Sequence, residues 1–248
     1  MRSALVLLVL SACGGSPPPK PVEPPPPPPP TRHVIEDSTA EDGGQEEGVT
    51  MMGQRGHMEV EDVEAGIAPH KQAMADCYMS NVNRRKWLGG QVVVHWDIKK
   101  DGTVTEVRLA ETDPGTNLGN WAIEKCILAE AKAATFAKPK NGDADFTIPM
   151  EFKPTGRLVN WDEDQTVRAV GGQTSKIAKC AKGKAVPPKG PVWITVYVGP
   201  RGKVQSVGFA GKASIDEEWA DCAVKAATGW RLPDPKGTIA KLAVQYPR

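Results

Sequence analysis

Histidine, long apolar runs and a surplus of charge of either sign are scarce in this chain of 248 residues. The formal net charge is +1, which argues against a protein that binds nucleic acid over its whole surface, because such proteins carry a marked basic surplus. No Gly-x-Ser-x-Gly motif, His-Glu-x-x-His motif, phosphate-binding glycine loop or closely spaced Cys/His set occurs in the sequence. We therefore predict a protein that is not an enzyme, has no cofactor or metal site and has no nucleic-acid partner.

The first residues have the organisation of a bacterial export signal. One arginine, a short apolar run and small residues precede Cys13, and the run is too short to cross a bilayer of about 30 Å as a helix. Residues 10–13 resemble the lipobox of bacterial lipoproteins, which implies cleavage after residue 12 and lipidation of Cys13. An ordinary signal peptide, cleaved nearby without lipid, is the alternative. Gly14 in place of aspartate favours sorting to the outer membrane, so we expect a lipid-anchored envelope protein that faces the periplasm or the cell surface.

Residues 13–55 are predicted to form no core of their own. Residues 16–32 are rich in proline and should form a polyproline II stalk of roughly 50 Å. A ligand for an aromatic-lined groove is the alternative use of such a segment. Residues 33–55 are acidic and lack hydrophobic periodicity, which predicts a disordered tether. The folded part is expected to begin near Gly56.

One strand-turn-strand pattern occurs twice, in residues 91–109 and 191–209. Apolar residues alternate with others in each copy, which predicts strands with one face in a core. Gly102 and Gly202 hold the same place in the two turns, where a positive φ is needed. The core-facing residues of the first strands are predicted to be Val92, Val94, Trp96 and Ile98 in one copy and Val192, Ile194, Val196 and Val198 in the other.

Matching segments flank the two hairpins. A stretch with helical period precedes each hairpin, and a second helical run and a strand-like run follow it. Pro69 should begin the first helix at its first turn or kink it, and Gly171-Gly172 should shorten the corresponding helix of the second copy. The inward faces of these helices are predicted to hold Ile67, Met74, Cys77 and Tyr78 in one copy and Val167, Val170, Ile177 and Cys180 in the other.

The first copy has the motifs of a known family at the expected places: Cys77-Tyr78 late in the first helix, Asp101-Gly102 in the turn, Cys126 in the second helix, and Phe136 three residues before Pro139. With these motifs, residues 61–154 resemble the C-terminal domain family named after AgmX and PglI, which is related to the TonB C-terminal domain. Residues 166–247 resemble it less closely and are identified as a divergent copy.

The resemblance implies an α+β fold with two tandem small domains, at residues 56–156 and 165–248. Each domain should be a three-stranded antiparallel sheet with two helices on one face. Family members are associated with motility and envelope complexes, and no chemistry is known for them. Because TonB relatives bind an extended segment of their partner along a sheet edge, the expected partners are envelope proteins bound by strand addition.

Four cysteines remain if Cys13 carries lipid, and an even number suits an oxidising compartment. We predict disulfides between Cys77 and Cys126 and between Cys180 and Cys222, since each would join the two helices of one copy. Four buried thiols are the alternative.

The remaining polar and aromatic residues suggest packing and surface contacts. His95 lies opposite the apolar face of its strand and is predicted to be a surface residue. Lysines before the second hairpin could meet an anionic envelope polymer or form a solvated surface. The tryptophans expected to pack in a core or on a sheet face, with glycan stacking as the alternative, are Trp96, Trp121, Trp193, Trp219 and Trp230.

These patterns together predict a non-enzymatic, lipid-anchored scaffold or assembly factor, and the resemblance implies a place in a motility or envelope-spanning complex. The alternative function is a lipoprotein that binds peptidoglycan or a surface polysaccharide.

Overall fold

The computed structural model describes residues 50–51, 56–181 and 185–247. The predicted signal peptide, Cys13, the stalk and most of the tether lie outside the described residues. Two of the lysines before the second hairpin, Lys182 and Lys184, lie outside them as well. All described elements belong to one compact unit, Gln45–Arg248. None of the helices among them is both long enough and apolar enough to cross a membrane.

The chain has an α+β fold in which two halves repeat the same order of elements. The first half consists of β1 (Thr50–Met51), α1 (Val60–Val82), β2 (Gly90–Ile98), β3 (Val104–Leu109), α2 (Trp121–Ala133) and β4 (Ala144–Phe152). The second half consists of β5 (Val159–Asn160), α3 (Glu163–Val170), a 3₁₀ helix (Gly171–Cys180), β6 (Val192–Val198), a 3₁₀ turn (Pro200–Gly202), β7 (Val204–Gly211), α4 (Glu217–Thr228) and β8 (Ala240–Tyr246).

Each half contains a sheet of four strands where the resemblance implied three. The first sheet has the order β1-β4-β2-β3 and its pairings are antiparallel, whereas the second has the order β5-β8-β6-β7 and is mixed because β5 runs parallel to β8. The extra strands β1 and β5 have two residues each and precede the helix of their half. Two residues carry no periodicity, so the sequence pattern does not reveal them. Thr50 and Met51 lie in the segment predicted as a tether, and the structure pairs them with Thr147 and Phe146 of β4.

The two hairpin turns have the backbone geometry that their glycines allow. Gly102 has a φ of 91° and Gly202 a φ of 68°, a region that side chains with a Cβ rarely adopt. Arg201 also has a positive φ, 61°, so the second turn differs in shape from the first.

The helices follow the predicted inward faces with two differences. The buried residues of α1 are Val63, Ile67, Met74 and Cys77. The helix begins at Val60, so Pro69 lies inside it and the prediction that Pro69 could lie in its first turn is wrong. In the second half α3 ends at Val170 and a 3₁₀ helix follows from Gly171. The helical period does not continue across that change, and Val167, predicted to face inward, is exposed.

Each half is closed by a disulfide between its helical segments. Cys77 bonds to Cys126 and Cys180 to Cys222, with Cα atoms 5.7 Å apart in both. These are the pairs that the sequence predicts. Both bridges lie beside the helix-covered face of a sheet, where the alternating residues of β2 and β6 form the core.

Tryptophans anchor both cores. Trp96, Trp219 and Trp230 are fully buried, and Trp96 donates a hydrogen bond from Nε1 to the carbonyl of Ala131 at 3.0 Å. Trp121 is also buried, and Trp193 is half-buried on the opposite face of the second sheet. Packing is therefore the main role of this set of side chains.

Candidate functional site

Beyond Lys241, the backbone groups at the outer edge of β8 have no strand partner among the described residues. The carbonyls of Ile239 and Lys241 accept hydrogen bonds from the amides of Val159 and Trp161, at 3.0 and 2.8 Å. Because alternate residues of a strand point to the same edge, the peptide groups of Ala243 and Gln245 point to this edge as well. β5 pairs only with Ala240 and Lys241, so the rest of this edge has no strand partner in the part of the chain that the structure describes.

A groove of about 670 Å³ runs along this edge. Its floor is β8 from Lys241 to Gln245, and its apolar lining includes Trp161, Trp193 and the exposed Val167. Loop 114–116 of the first half lines it as well. An apolar trough beside unpaired backbone donors and acceptors has the features of a site that receives an extended chain.

The corresponding edge of the first sheet lacks a hydrogen-bond donor at one position. Thr147 on β4 is paired with β1. The carbonyl of Val93 accepts a hydrogen bond from the amide of Ala110 and therefore points away from β4. Pro149 is the register partner of Val93 on β4, so its peptide groups point away from β2, towards the outer edge of the sheet. Proline has no N–H, so β4 lacks a donor at this position of the edge.

The remaining edge strands, β3 and β7, contact each other's half. Arg108 of β3 donates from Nη1 to the carbonyl of Gly211 at 3.2 Å. Glu106 accepts from the backbone and hydroxyl of Ser214, at 3.2 and 2.7 Å. Among the long strands described, β8 thus offers the most accessible edge.

The outer face of the second sheet is covered by the first half. Its side chains Trp193, Thr195 and Tyr197 occupy the positions of Val93, His95 and Asp97 in the first copy. Tyr197 and Thr195 are fully buried, and Trp193 donates to Glu111 of the first half at 2.7 Å. On β6, Thr195 and Tyr197 therefore replace the ionisable His95 and Asp97 on the face where the two halves meet, and we call this contact the junction.

Glu124 of α2 lies at the centre of the junction and is 2% exposed. Its Oε1 accepts from the amides of Gly119 and Asn120 at 2.9 and 3.0 Å, and its Oε2 accepts from the amide of Phe209 on β7 at 2.9 Å. Burial raises the pKa of Glu124 to about 7, against the lowering effect of these donors and of the Lys241 charge. A Cβ on Gly208 would overlap this carboxylate, so glycine makes the close approach possible.

Gly89, just before β2, forms the other centre of the junction. Tyr197 donates from its hydroxyl to the carbonyl of Gly89 at 2.5 Å, and Lys241 donates from Nζ to the same oxygen at 3.0 Å. Lys241 is 3% exposed, and burial lowers its pKa to about 8 although Glu124 partly offsets the effect. Burial also disfavours the charged form of Tyr197 and so raises the pKa of its hydroxyl. The second half thus donates two side-chain hydrogen bonds to one backbone oxygen of the first.

Charged residues surround the buried part of the junction. Lys125 of α2 lies 3.2 Å from Glu217 and 3.3 Å from Asp221 of α4. Asp221 also accepts from Trp121 Nε1 at 2.6 Å. These partly exposed pairs contribute little to stability individually, but they orient α2 against α4.

His95 is buried, so the prediction that it lies on the surface is wrong. Its ring is flanked in register by Arg108 on β3 and Thr147 on β4, and Nε2 lies 3.4 Å from Oδ2 of Asp97. In the described ranges, no group of three or more His, Cys, Asp or Glu side chains is placed to hold a metal ion.

Sequence reasoning identified the cysteine pairs and the turn glycines but missed Glu124, Lys241 and Gly208. A glycine inside a strand often marks the close approach of another group, so Gly208 was the available signal for the junction. No protein-family model matches the sequence, and no curated protein or solved structure matches it either.

Proposed function

We propose that this chain is a non-enzymatic, lipid-anchored protein of the bacterial cell envelope that serves as a partner-binding scaffold or assembly factor. On this proposal the two halves are tandem modules of the AgmX/PglI type, related to the TonB C-terminal domain. Cys13 carries the lipid, and the protein belongs to the outer membrane, in a motility or envelope-spanning complex. The two disulfides suit an oxidising compartment such as the envelope.

The free edge of β8 is the observation that carries the proposal. Backbone hydrogen bonds from Ala243 and Gln245 would supply affinity for an extended segment, and the apolar groove would receive alternate side chains of that segment. Such binding needs no catalytic group.

Site-specific photo-crosslinking in the intact envelope tests this function. A photoreactive residue in place of Ala243 should give a discrete adduct with another envelope protein, because it would lie beside the bound segment. The matched control replaces Glu151, which lies on the outward edge of β4 beyond Pro149. Equal adducts from both positions, or none from Ala243, would contradict strand addition at β8.

Binding of peptidoglycan or a surface polysaccharide is the second candidate function. Lys176, Lys179 and Lys189 are exposed on one short stretch of the second half, and Trp161 is available in the groove for stacking on a sugar. A cell-wall pull-down that weakens steeply with salt and is lost when the three lysines are changed to glutamine would favour this candidate.

Lipid anchoring has a separate test. Changing Cys13 to serine should move the protein from the membrane fraction to the soluble fraction, because the acyl chains would be absent. Retention of the Cys13→Ser variant in the membrane would argue against the anchor and leave the strand-accepting edge unaffected.

A further inference from the structure

The groove along β8 has walls from both halves of the chain. Trp161 and the first turn of α3 form one wall, and loop 114–116, which precedes α2, lines the groove from the first half. The second half alone would therefore present the edge without this wall.

Lys241 connects the free edge to the junction. Its carbonyl accepts from Trp161 at the end of β5, and its Nζ donates to the carbonyl of Gly89 in the first half. The ammonium group also lies 5.4 Å from the centre of the Tyr197 ring. One residue thus fixes both the position of β8 beside β5 and the position of β8 against the first half.

The groove has a negative charge at one end. Asp162 caps α3 by accepting from the amide of Gln165 at 2.7 Å, and Glu163 follows it with an exposed side chain. Glu163 has no ion pair among the residues that the structure describes. Among the described residues that line the groove, Lys241 is the one basic residue, and its ammonium group is directed into the junction. A cationic side chain in the groove would therefore meet carboxylates without a competing cation.

We propose that the groove along β8 is a composite acceptor for an extended segment that carries a lysine or arginine, with loop 114–116 as its second wall and Lys241 positioning β8 against that wall. This proposal rests on the strand-addition function proposed above. It adds the charge of the partner segment and the requirement for both halves.

Two labelled synthetic peptides, titrated against the full chain by fluorescence anisotropy, test the charge. Each has eight residues that alternate valine and threonine, with one threonine replaced by lysine in the probe and by glutamate in its control. The lysine peptide should bind about fivefold more tightly than the glutamate peptide, as expected for a partly exposed ion pair. The Glu163→Lys variant should lose this preference, whereas Glu218→Lys, the same change in the first turn of α4, should retain it.

Two further variants test the contribution of the first half. Pro114→Lys places a cation on the exposed loop without touching a buried group, and it should weaken the lysine peptide and strengthen the glutamate peptide. Lys241→Met keeps an unbranched side chain that is one atom shorter and removes the hydrogen bond to Gly89, and it should weaken both peptides about tenfold with unchanged far-UV circular dichroism. If both variants bind as the natural chain does, the composite site is wrong and the β8 edge acts alone.

The peptide titration and the envelope crosslinking fail independently. If neither peptide binds the natural chain, the inferred ligand chemistry of the groove is overturned. A specific adduct from position 243 in the same strain would still support strand addition. If both peptides bind equally, the edge accepts extended chains and the inferred preference for a cation is wrong.

Discussion

The two sheets have the same order of long strands but differ at the corresponding position of their outer edges. Pro149 of β4 pairs in register with Val93, and Gln245 of β8 pairs with Trp193, which takes the place of Val93 in the second copy. A proline removes a donor from an edge strand, and natural sheets use this change to block unwanted pairing. The outer edge of the first sheet thus lacks a donor that the second sheet has at the same position, although both halves have the same fold.

The outer faces of the sheets differ in a related way. The first sheet has His95, Asp97 and Arg108 on this face, and the second has Thr195, Tyr197 and Gly208 at the same places of the repeat. The first half covers Thr195, Tyr197 and Gly208, together with the ionisable Lys241 of β8. The two halves therefore differ in sequence where one packs on the other, whereas their helix-covered cores have a similar apolar pattern.

The disulfides provide the largest expected effect and a test of how similar the halves are. Replacing either pair by alanine should lower the free energy of unfolding by about 4 kcal/mol in the chain-entropy model, because the loops span similar separations, 49 and 42 residues. Urea unfolding of the two double variants measures the loss. A difference above about 1 kcal/mol between them would show that loop closure alone does not set the contribution of each bridge.

The junction should give the stability of the protein an unusual dependence on pH. Glu124 has a folded-state pKa of about 7 against an ordinary 4.5, so its contribution is fully present below pH 4.5 and is lost as pH rises through 7. Lys241 has a folded-state pKa of about 8 against 10.5, so its contribution is present above pH 10.5 and is lost as pH falls through 8. We expect a minimum between pH 7 and 8, with a rise on the order of 3 kcal/mol towards pH 5.

Chemical unfolding at pH values from 5 to 9.5 measures this profile. The Glu124→Gln variant should flatten its acidic side, and Lys241→Met should flatten its basic side. A maximum between pH 7 and 8 in the natural protein would contradict the assigned directions of both pKa shifts.

Gly208 offers a test of the junction by a single methyl group. Gly208→Ala should destabilise the protein by about 2 kcal/mol, because the new Cβ overlaps the Glu124 carboxylate and the backbone of Asn120. Gly229→Ala is the matched control, since a Cβ there meets only ordinary contacts at 3.4 Å or more. Thermal unfolding of the two variants should separate them, and equal melting temperatures would mean that the halves are held more loosely than the contacts indicate.

The free edge offers the smallest effect in energy and the most direct test of the comparison. Gln245→Pro copies the first half's proline into the second and should lower the crosslinking yield from position 243 about tenfold, equivalent to about 1.4 kcal/mol. The fold should survive because the amide that is lost points outward, away from β6. Gln245→Ala, which keeps the N–H, is the control and should crosslink as the natural chain does.

Much of the fold could be predicted from the sequence, because it depends on local periodicity. The alternation in residues 91–98 and 191–198 and the turn glycines Gly102 and Gly202 predict both hairpins. The sequence predicts Val167 to be buried and His95 to be exposed, and the structure shows the reverse. Both predictions fail because the end of α3 and the packing of the outer sheet face are not local properties. The sequence could not assign Glu124 and Lys241 to the junction, since glutamate and lysine are usually surface residues.

The sequence by itself determined the repeat, the helices and the long strands, since periodicity and turn chemistry specify each of these within one copy. It predicted the pairs Cys77–Cys126 and Cys180–Cys222 with four buried thiols as the alternative, and the structure decided for the disulfides. Only the tertiary structure decided which sheet edge is free and which ionisable groups are buried. Those properties depend on contacts between residues about a hundred positions apart, as between Gly89 and Tyr197. Desolvation, which makes Glu124 and Lys241 exceptional, exists only once the two halves have packed together.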